Sequence, residues 1–412
     1  MNKRSLTLNL EYAGDFAAYW IYYGMVGSFC SAYLLDLNYT NSEIGLIMAL
    51  ASVVSVFLQP ALADLSDRSK KLDQIGVASL GTIVMLVLNV GLLIIRRKTA
   101  ALWVIYILAL AWELALQPVL NSFSRKLSES GHKINFGICR SGGSLGYSVL
   151  MVVMGSLTDR FGTGIIPGSG MIALAVLLGL LILTKKTLER AKAERGMMVD
   201  HEVQPEIIEE EAEEINLISF VKRNKLFIAL NLFILVLYFQ NAILNNFMFQ
   251  VVDGVGGDAE DLGRVLGVMA FLEIPALFFF DKLNKRFSCT TLLKVASVCF
   301  VIKLVLLYLA NSVTMIYVGH IFHLTSFPLF LPAIVQFVNE IMAKGEAVKG
   351  QAMYTTAITI SSVFASILGG VILDLSGPKL MLLVSAVLTA IGALGVLMLV
   401  DKVPKHSRTL EK

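Results

Sequence analysis

The chain has 412 residues, of which 56% are hydrophobic and only 16% charged, and its mean hydropathy is +0.73. Since an ordinary soluble domain carries about 25% charged residues, this composition predicts a membrane protein with many spans. A formal net charge of +3 is too small to indicate a nucleic-acid partner. The four cysteines lie singly, without the paired spacing of a disulfide framework or a metal site.

Twelve apolar runs are each long enough to cross the hydrocarbon core as a helix, which takes about 20 residues. The first six predicted spans are 11–35, 43–64, 74–95, 100–122, 138–158 and 163–184. The second six are 225–250, 261–281, 290–310, 313–339, 350–374 and 379–400. The fold class predicted is therefore an all-α membrane protein with twelve transmembrane helices.

A charged segment separates the two sets of spans. It is basic from Lys185 to Arg195 and acidic from Asp200 to Glu214, which is too polar for hydrocarbon and too poor in apolar residues for a core. The predicted organisation is a first six-helix bundle over 1–184, a cytoplasmic linker over 185–217, a second six-helix bundle over 218–402 and a tail over 403–412.

An even number of spans puts both termini on the same side of the membrane. Most of the 34 Lys and Arg residues fall in the segments on that side, so the positive-inside rule predicts that both termini are cytoplasmic. The cluster from Arg96 to Lys98 is the exception. We expect a multi-pass protein of the cell membrane, embedded in the lipid bilayer.

A weak internal repeat relates the two halves. The pattern Gly-x-x-x-Asp-x-x-Gly begins at Gly155 near the end of the fifth span and again at Gly370 near the end of the eleventh, 215 residues later. With a shift of 218, Gly45 lies over Gly263. Six-helix repeats of this kind are typical of secondary transporters whose binding site lies between the halves, and they predict that the two bundles are pseudo-symmetric.

The loop after the second span, Ala63-Asp64-Leu65-Ser66-Asp67-Arg68-Ser69-Lys70-Lys71, resembles the cytoplasmic loop signature of the major facilitator superfamily. In that family a Gly is usual where Ala63 stands. We interpret Asp64, Asp67 and Arg68 as parts of a cytoplasmic gate that closes in one state. The alternative is a solvated turn that merely obeys the positive-inside rule.

The segment Phe136-Gly137-Ile138-Cys139-Arg140 is similar to the fifth helix of the lactose permease branch, the oligosaccharide:proton symporters. The resemblance implies that Arg140 binds substrate and that Tyr147 stacks on a sugar. A guanidinium suits hydroxyl, carboxylate or phosphate oxygens, whereas the alternative is a cation that snorkels to the interface. The permease branch pairs this Arg with a carboxylate at the position of Asn121, so the resemblance does not imply a galactoside.

Polar amides in the seventh span offer a second set of candidate substrate ligands. Asn241 and Asn245 are one turn apart, and their amides either hydrogen-bond a polyol or nucleoside or join neighbouring helices.

An ionisable side chain at mid-membrane costs about 2.5 to 3.5 kcal/mol on insertion scales, so each one indicates a function. Glu273 lies in the eighth span, one turn after Ala270, where the resemblance places the permease branch's essential acid. Lys303 and His323 coincide with that branch's helix-nine Arg and helix-ten His. Its proton-carrying Glu is replaced by Ser326, so we expect proton coupling to depend on Glu273 with Lys303 and His323.

These features predict a secondary active transporter that moves a small polar solute, such as a sugar, oligosaccharide or nucleoside, by proton-coupled symport and alternating access. The alternatives are drug or metabolite efflux by proton antiport and a non-transporting membrane sensor. No constellation typical of an enzyme is present in the sequence, and we expect no cofactor or metal and a monomeric state. Asp15, Glu113 and His320 are intramembrane polar residues without a predicted role.

Overall fold

The computed structural model describes residues 3–68, 72–129, 132–198, 217–343 and 346–404. The first helices in chain order are α1 (Lys3–Tyr22), α2 (Cys30–Asp36), α3 (Asn41–Arg68), α4 (Gln74–Ile94), α5 (Ala100–Glu129), α6 (Phe136–Phe161) and α7 (Ile166–Met198). They are followed by α8 (Leu217–Arg223), α9 (Lys225–Asp253), α10 (Ala259–Arg286), α11 (Cys289–Leu309), α12 (Val313–Ile321), α13 (Phe327–Ile341) and α14 (Ala347–Leu399). All twelve predicted spans coincide with these helices.

Four of the twelve spans differ from simple separate helices. The first span consists of α1 and α2 joined by a π-helical segment, Tyr23–Ser28, and the tenth consists of α12 and α13 joined by a turn at 322–326. The eleventh and twelfth follow one another within α14, which turns at Gly377, where φ is +75°. Glycine reaches this left-handed conformation without strain, and Pro378 suits the first turn of the next helix.

Local sequence signals fix where several helices begin. Asp73, Asn135 and Asp258 each accept a hydrogen bond from a backbone N–H of the first turn of α4, α6 and α10, as capping residues do. Prolines lie inside α3, α5, α10 and α13. Membrane helices tolerate them because neighbouring groups satisfy the carbonyls that proline frees.

The helices form two six-span bundles, α1–α7 and α9–α14, that meet along two crossings. At one crossing α3 packs on α14, and at the other α6 packs on α10. A Cβ atom on Gly45 would overlap the carbonyl oxygen of Ser366, and one on Gly263 would overlap that of Met151. Since Ser366 and Met151 are themselves 215 residues apart, the sequence repeat marks two equivalent close contacts between backbones.

The outer faces of the helices are apolar and match a bilayer environment. Val87, Phe161 and Ile172 are among many large apolar side chains exposed there, which suits a surface covered by lipid. Within the predicted linker, α7 continues as a helix to Met198. Residues 199–216 of the linker and residues 405–412 of the predicted tail lie outside the described residues. The domain boundaries at 184, 217 and 402 stay a prediction.

Candidate functional site

A cavity of about 1190 Å³ lies between the two bundles and is lined by both. We call the face of the membrane at which α1 begins and α14 ends the terminal face, and the other the opposite face. The cavity reaches Phe136, the first residue of α6, and Met342, just after the last residue of α13. It therefore extends from the middle of the molecule to the terminal face.

Seven of the predicted site residues meet in this cavity. They are Asn121, Arg140, Tyr147, Asn241, Asn245, Glu273 and His323. Lys303 is buried in α11, with 1% of its surface exposed, and is not among the lining residues; its ammonium nitrogen lies 5.3 Å from the centre of the Phe300 ring. Asp64 is exposed near the terminal end of α3, and the side chains of Asp67 and Arg68 lie outside the described residues.

Arg140 lies over an aromatic ring rather than against an acid. Its guanidinium carbon is 4.3 Å from the Trp20 ring centre and 5.7 Å from that of Phe16, which is favourable cation–π geometry. Within the described chain, neither an ion pair nor a hydrogen bond engages the guanidinium. Its N–H donors are therefore available to a solute in the cavity.

Two further polar atoms in the same wall lack partners among the described residues. The indole Nε1 of Trp20 and the amide Oδ1 of Asn121 are both buried without a hydrogen bond. Since buried polar groups are nearly always hydrogen-bonded in native proteins, this donor and this acceptor indicate a place where a ligand or water binds.

Tyr147 holds the π-helical segment in place. Its hydroxyl lies 2.8 Å from the hydroxyl of Ser28, and both residues line the cavity. π-Helical turns inside α-helices are rare and are frequent at functional sites. The break in the first span therefore brings Tyr23 and Ser28 to the cavity wall.

An acid and a base form a pair at the wall contributed by the second bundle. His323 Nε2 lies 3.2 Å from Glu273 Oε1, and 22% of the Glu273 side chain and 2% of the His323 side chain are exposed. The turn between α12 and α13 places the His, whose Nδ1 is buried without a partner in the described chain. Such a pair can bind and release a proton as the surroundings of the cavity change.

Six amide side chains line the cavity, two from the first bundle and four from the second. They are Gln117, Asn121, Asn241, Asn245, Gln336 and Asn339. Sequence reasoning missed Gln117, Gln336 and Asn339, as well as Trp20. Their spacing was a usable signal, because Gln117 and Asn121 are four residues apart and Gln336 and Asn339 three, which puts each pair on one helix face.

The opposite face is closed by contacts between the bundles. The carboxylate of Asp374 accepts hydrogen bonds from the backbone N–H groups of Asn41 at 2.9 Å and Ser42 at 2.8 Å. Gln250 donates to the Asn41 side chain at 2.8 Å, and Ser148 donates to the carbonyl of Gly267 at 2.7 Å. The cavity thus communicates with the terminal face while these contacts close the other, as one state of an alternating-access cycle requires.

Comparisons with known proteins agree with this architecture. The model of the MFS_1 like family matches residues 16–384. An uncharacterized transporter of Bacillus subtilis (strain 168), YwbF, is 22% identical over 395 residues, which are 94% of this chain and 92% of that protein.

Solved structures of transporters share the fold. The nucleoside transporter NupG has a TM-score of 0.75 at 14% identity, over 97% of this chain and 99% of that chain. A POT family transporter in complex with a thioalcohol conjugated peptide has a TM-score of 0.71 at 14% identity, over 97% of each chain. A bacterial homolog to the human lysosomal transporter Spinster has a TM-score of 0.61 at 14% identity, over 98% of this chain and 96% of that chain. The fold predicted from the sequence is confirmed.

Proposed function

The chain belongs to the MFS_1 like family and is a membrane transporter rather than an enzyme, and on that premise we propose that it carries a small polar solute by proton-coupled symport. The solute class is a sugar, an oligosaccharide or a nucleoside. The observation that carries the proposal is the presence of Arg140 on one wall and the Glu273–His323 pair on the other wall of a single cavity.

The lining of the cavity supports a neutral solute rich in hydroxyl groups. Six amides offer both donors and acceptors without net charge, and Arg140 adds a fork of N–H donors. Trp20, Tyr23 and Tyr147 offer flat apolar surfaces beside these polar groups, which suit the face of a sugar or a base. A strongly apolar solute would leave the amides without hydrogen-bond partners, and this is costly.

The Glu273–His323 pair supports coupling to protons. When the cavity holds water, Glu273 can ionise beside the imidazole; when the cavity closes, an unpaired carboxylate is disfavoured and uptake of a proton restores neutrality. Binding of a proton at this pair therefore depends on which face the cavity opens to. Lys303 lies deeper in the same bundle and contributes positive charge from behind the pair rather than from the cavity wall.

We place the terminal face in the cytoplasm, on the distribution of Lys and Arg, and we propose that the transporter acts as a monomer in the cell membrane. The structure then represents the state open to the cytoplasm, and inward movement of the solute runs with the proton. The exposed position of Asp64 beside this open face suits a gate that closes in the other state.

Uptake into proteoliposomes with an imposed pH gradient tests the proposal. Labelled hexoses, disaccharides and nucleosides are offered one at a time, with protein-free vesicles as the control. We expect one class to accumulate with the proton gradient and to lose accumulation when a protonophore is added. Accumulation driven by an opposed gradient would indicate antiport, and ligand binding without any flux would indicate a sensor; either result contradicts symport.

A further inference from the structure

Glu113 is a buried carboxyl that the proposed mechanism leaves without a role. It lies on α5 with 1% of its surface exposed, one turn beyond Gln117 and two turns beyond Asn121 on the same helix face. Those two amides line the cavity and Glu113 does not. The polar stripe of α5 thus continues past the closed end of the cavity into the first bundle.

Among the described residues, the carboxyl group of Glu113 has no cationic partner. Its Oε2 is buried without a hydrogen bond in the described chain. The titratable groups that face it are Tyr19 and Tyr22 of α1, Tyr23 of the π-helical segment, Cys30 of α2 and Tyr147 of α6. Neither α3 nor α4, which pack along α5, brings a described charged group to it. An isolated buried carboxylate is so costly that the group takes up a proton instead.

The π-helical segment separates this carboxyl from the cavity. A Cβ atom on Gly27 would lie 2.7 Å from Glu113 Oε1, so the carboxyl rests directly on the backbone of that segment. The next residue, Ser28, lines the cavity and is held by Tyr147 at 2.8 Å. The backbone at Gly27 and Ser28 is thus the layer between Glu113 and the cavity, and a change in its conformation would connect the carboxyl group to the cavity.

We propose that Glu113 is a second proton-binding site, which keeps its proton while the cavity is open to the terminal face and releases it when the π-helical segment moves. The proposal deepens the proposed symport by adding a proton carrier in the first bundle to the Glu273–His323 pair in the second. It requires no solute to be identified, because the state of the carboxyl can be measured directly.

Infrared spectra of the protein in lipid vesicles at neutral pH test the first half of the proposal. We expect the carbonyl band of a protonated carboxylic acid to be lost in Glu113→Gln. Asp15→Asn, which changes another buried acid of the same bundle, is the control and should leave the band assigned to Glu113 in place. If Glu113→Gln instead loses a carboxylate band, or loses neither band, the proposal is overturned.

Gly27→Ala supplies a second variant should Glu113→Gln not fold. Its added methyl displaces the carboxyl, so we expect the protonated band to shift, and Gly179→Ala, which adds a methyl to open space, should leave it unchanged.

The second half requires that the proton leaves when the other state is adopted. Gly45→Leu prevents closure at the opposite face, because its side chain would occupy the position of the Ser366 carbonyl. In that variant we expect the band assigned to Glu113 to disappear. A band that is equally strong in both states would show a proton held permanently for structural reasons, and would overturn the proposal. Failure of symport would show instead as absence of proton-driven uptake in the wild type, so the two failures are distinguishable.

Discussion

Asp374 in the second bundle caps the first turn of a helix that begins at Asn41 in the first bundle. The same turn already has a local capping box, in which Thr40 and Glu43 bond each other's backbone N–H groups at 2.8 and 3.2 Å. The N–H groups of Asn41 and Ser42 are left over, and within the described part of the chain the carboxylate of Asp374 alone accepts hydrogen bonds from them. When the opposite face is closed, the second bundle thus satisfies the remaining N–H groups at the start of α3.

Removing this cap should favour opening of the opposite face. An anion at a helix N-terminus contributes about 1 kcal/mol at an exposed position, so we expect Asp374→Ala to shift the balance between states by about fivefold. Maleimide labelling of a cysteine placed in the cavity, applied from the opposite face, measures the shift. Asp159→Ala is the matched control, because Asp159 occupies the equivalent position of the repeat and is exposed without a partner in the described chain.

The glycines at the two crossings should be intolerant of any side chain when the opposite face closes. We expect Gly263→Leu to abolish net transport while the protein still folds and binds solute from the opposite face, because the side chain would displace the Met151 carbonyl. Labelling and transport in the same vesicles check both statements. Gly179→Leu, in open space on α7, should behave as the wild type, and normal transport by Gly263→Leu would refute the close contact.

Arg140 should contribute to solute affinity through its geometry as well as its charge. We expect Arg140→Ala, and also Arg140→Lys, to weaken binding at least tenfold, because an ammonium cannot reproduce the planar fork that lies on Trp20. Titration calorimetry with the solute identified by uptake measures the change. Arg160→Ala removes an exposed arginine from the same helix and should leave affinity unaltered; an equal loss there would show a nonspecific charge effect.

Glu273 should be needed for accumulation but not for exchange. In Glu273→Gln the cavity can no longer release a proton at this position, so we expect proton-driven accumulation to vanish while exchange of labelled for unlabelled solute persists. Both rates are measured in the same proteoliposomes. Asp281→Asn alters an exposed acid on the same helix and should retain both activities. Undiminished accumulation by Glu273→Gln would remove the residue from the mechanism.

A pH effect on stability is expected outside the membrane, at Asp73. Burial alone would raise the pKa of Asp73, but the hydrogen bonds from Lys126 at 3.0 Å and from the Gly76 N–H outweigh it and hold its pKa below the ordinary 3.8. A depressed pKa means that the stabilisation is present above pH 3.8 and is lost as the pH falls through the lower folded value. Asp73→Asn keeps the helix cap but loses the ion pair. We therefore expect its free energy of unfolding at neutral pH, measured by thermal or denaturant unfolding, to be lower than that of the wild type by about 0.5 to 1 kcal/mol. The difference from the wild type should vanish in strong acid, and a constant difference at all pH values would contradict this account.

The positions of the spans could be predicted because the length of an apolar run is a local property. Arg140 and Glu273, which line the cavity, could be singled out for a related reason, since a charge inside a span is costly enough to indicate a function from one residue alone. The π-helical segment and the turn before α13 could not be predicted. They depend on contacts between spans, such as that of Tyr147 with Ser28, which composition does not reveal.

Which side chains face the cavity was harder to predict from the sequence than which residues lie within the spans. Gln336 and Asn339 carry no charge, so their spacing on one helix face was the only sequence signal, and the same spacing also occurs in amides that join helices. Lys303 was placed by its register with a related family, but register does not determine which face of α11 meets the cavity, and in the structure the side chain is buried behind that wall.

Arg140 keeps its charge at every physiological pH, and no carboxylate of the described chain lies against it. When Glu273 holds a proton the cavity carries a net positive charge, and when Glu273 is ionised the two charges cancel. Because the electric field falls across whichever side is closed, a change of access moves this cavity through the membrane potential even if no atom travels far. A voltage of 100 mV acts on such a charge with up to about 2.3 kcal/mol. Under the proposed symport, an electrical potential alone would therefore draw the proton-loaded transporter toward the negative side, whereas it would not act on the neutral cavity of the empty transporter.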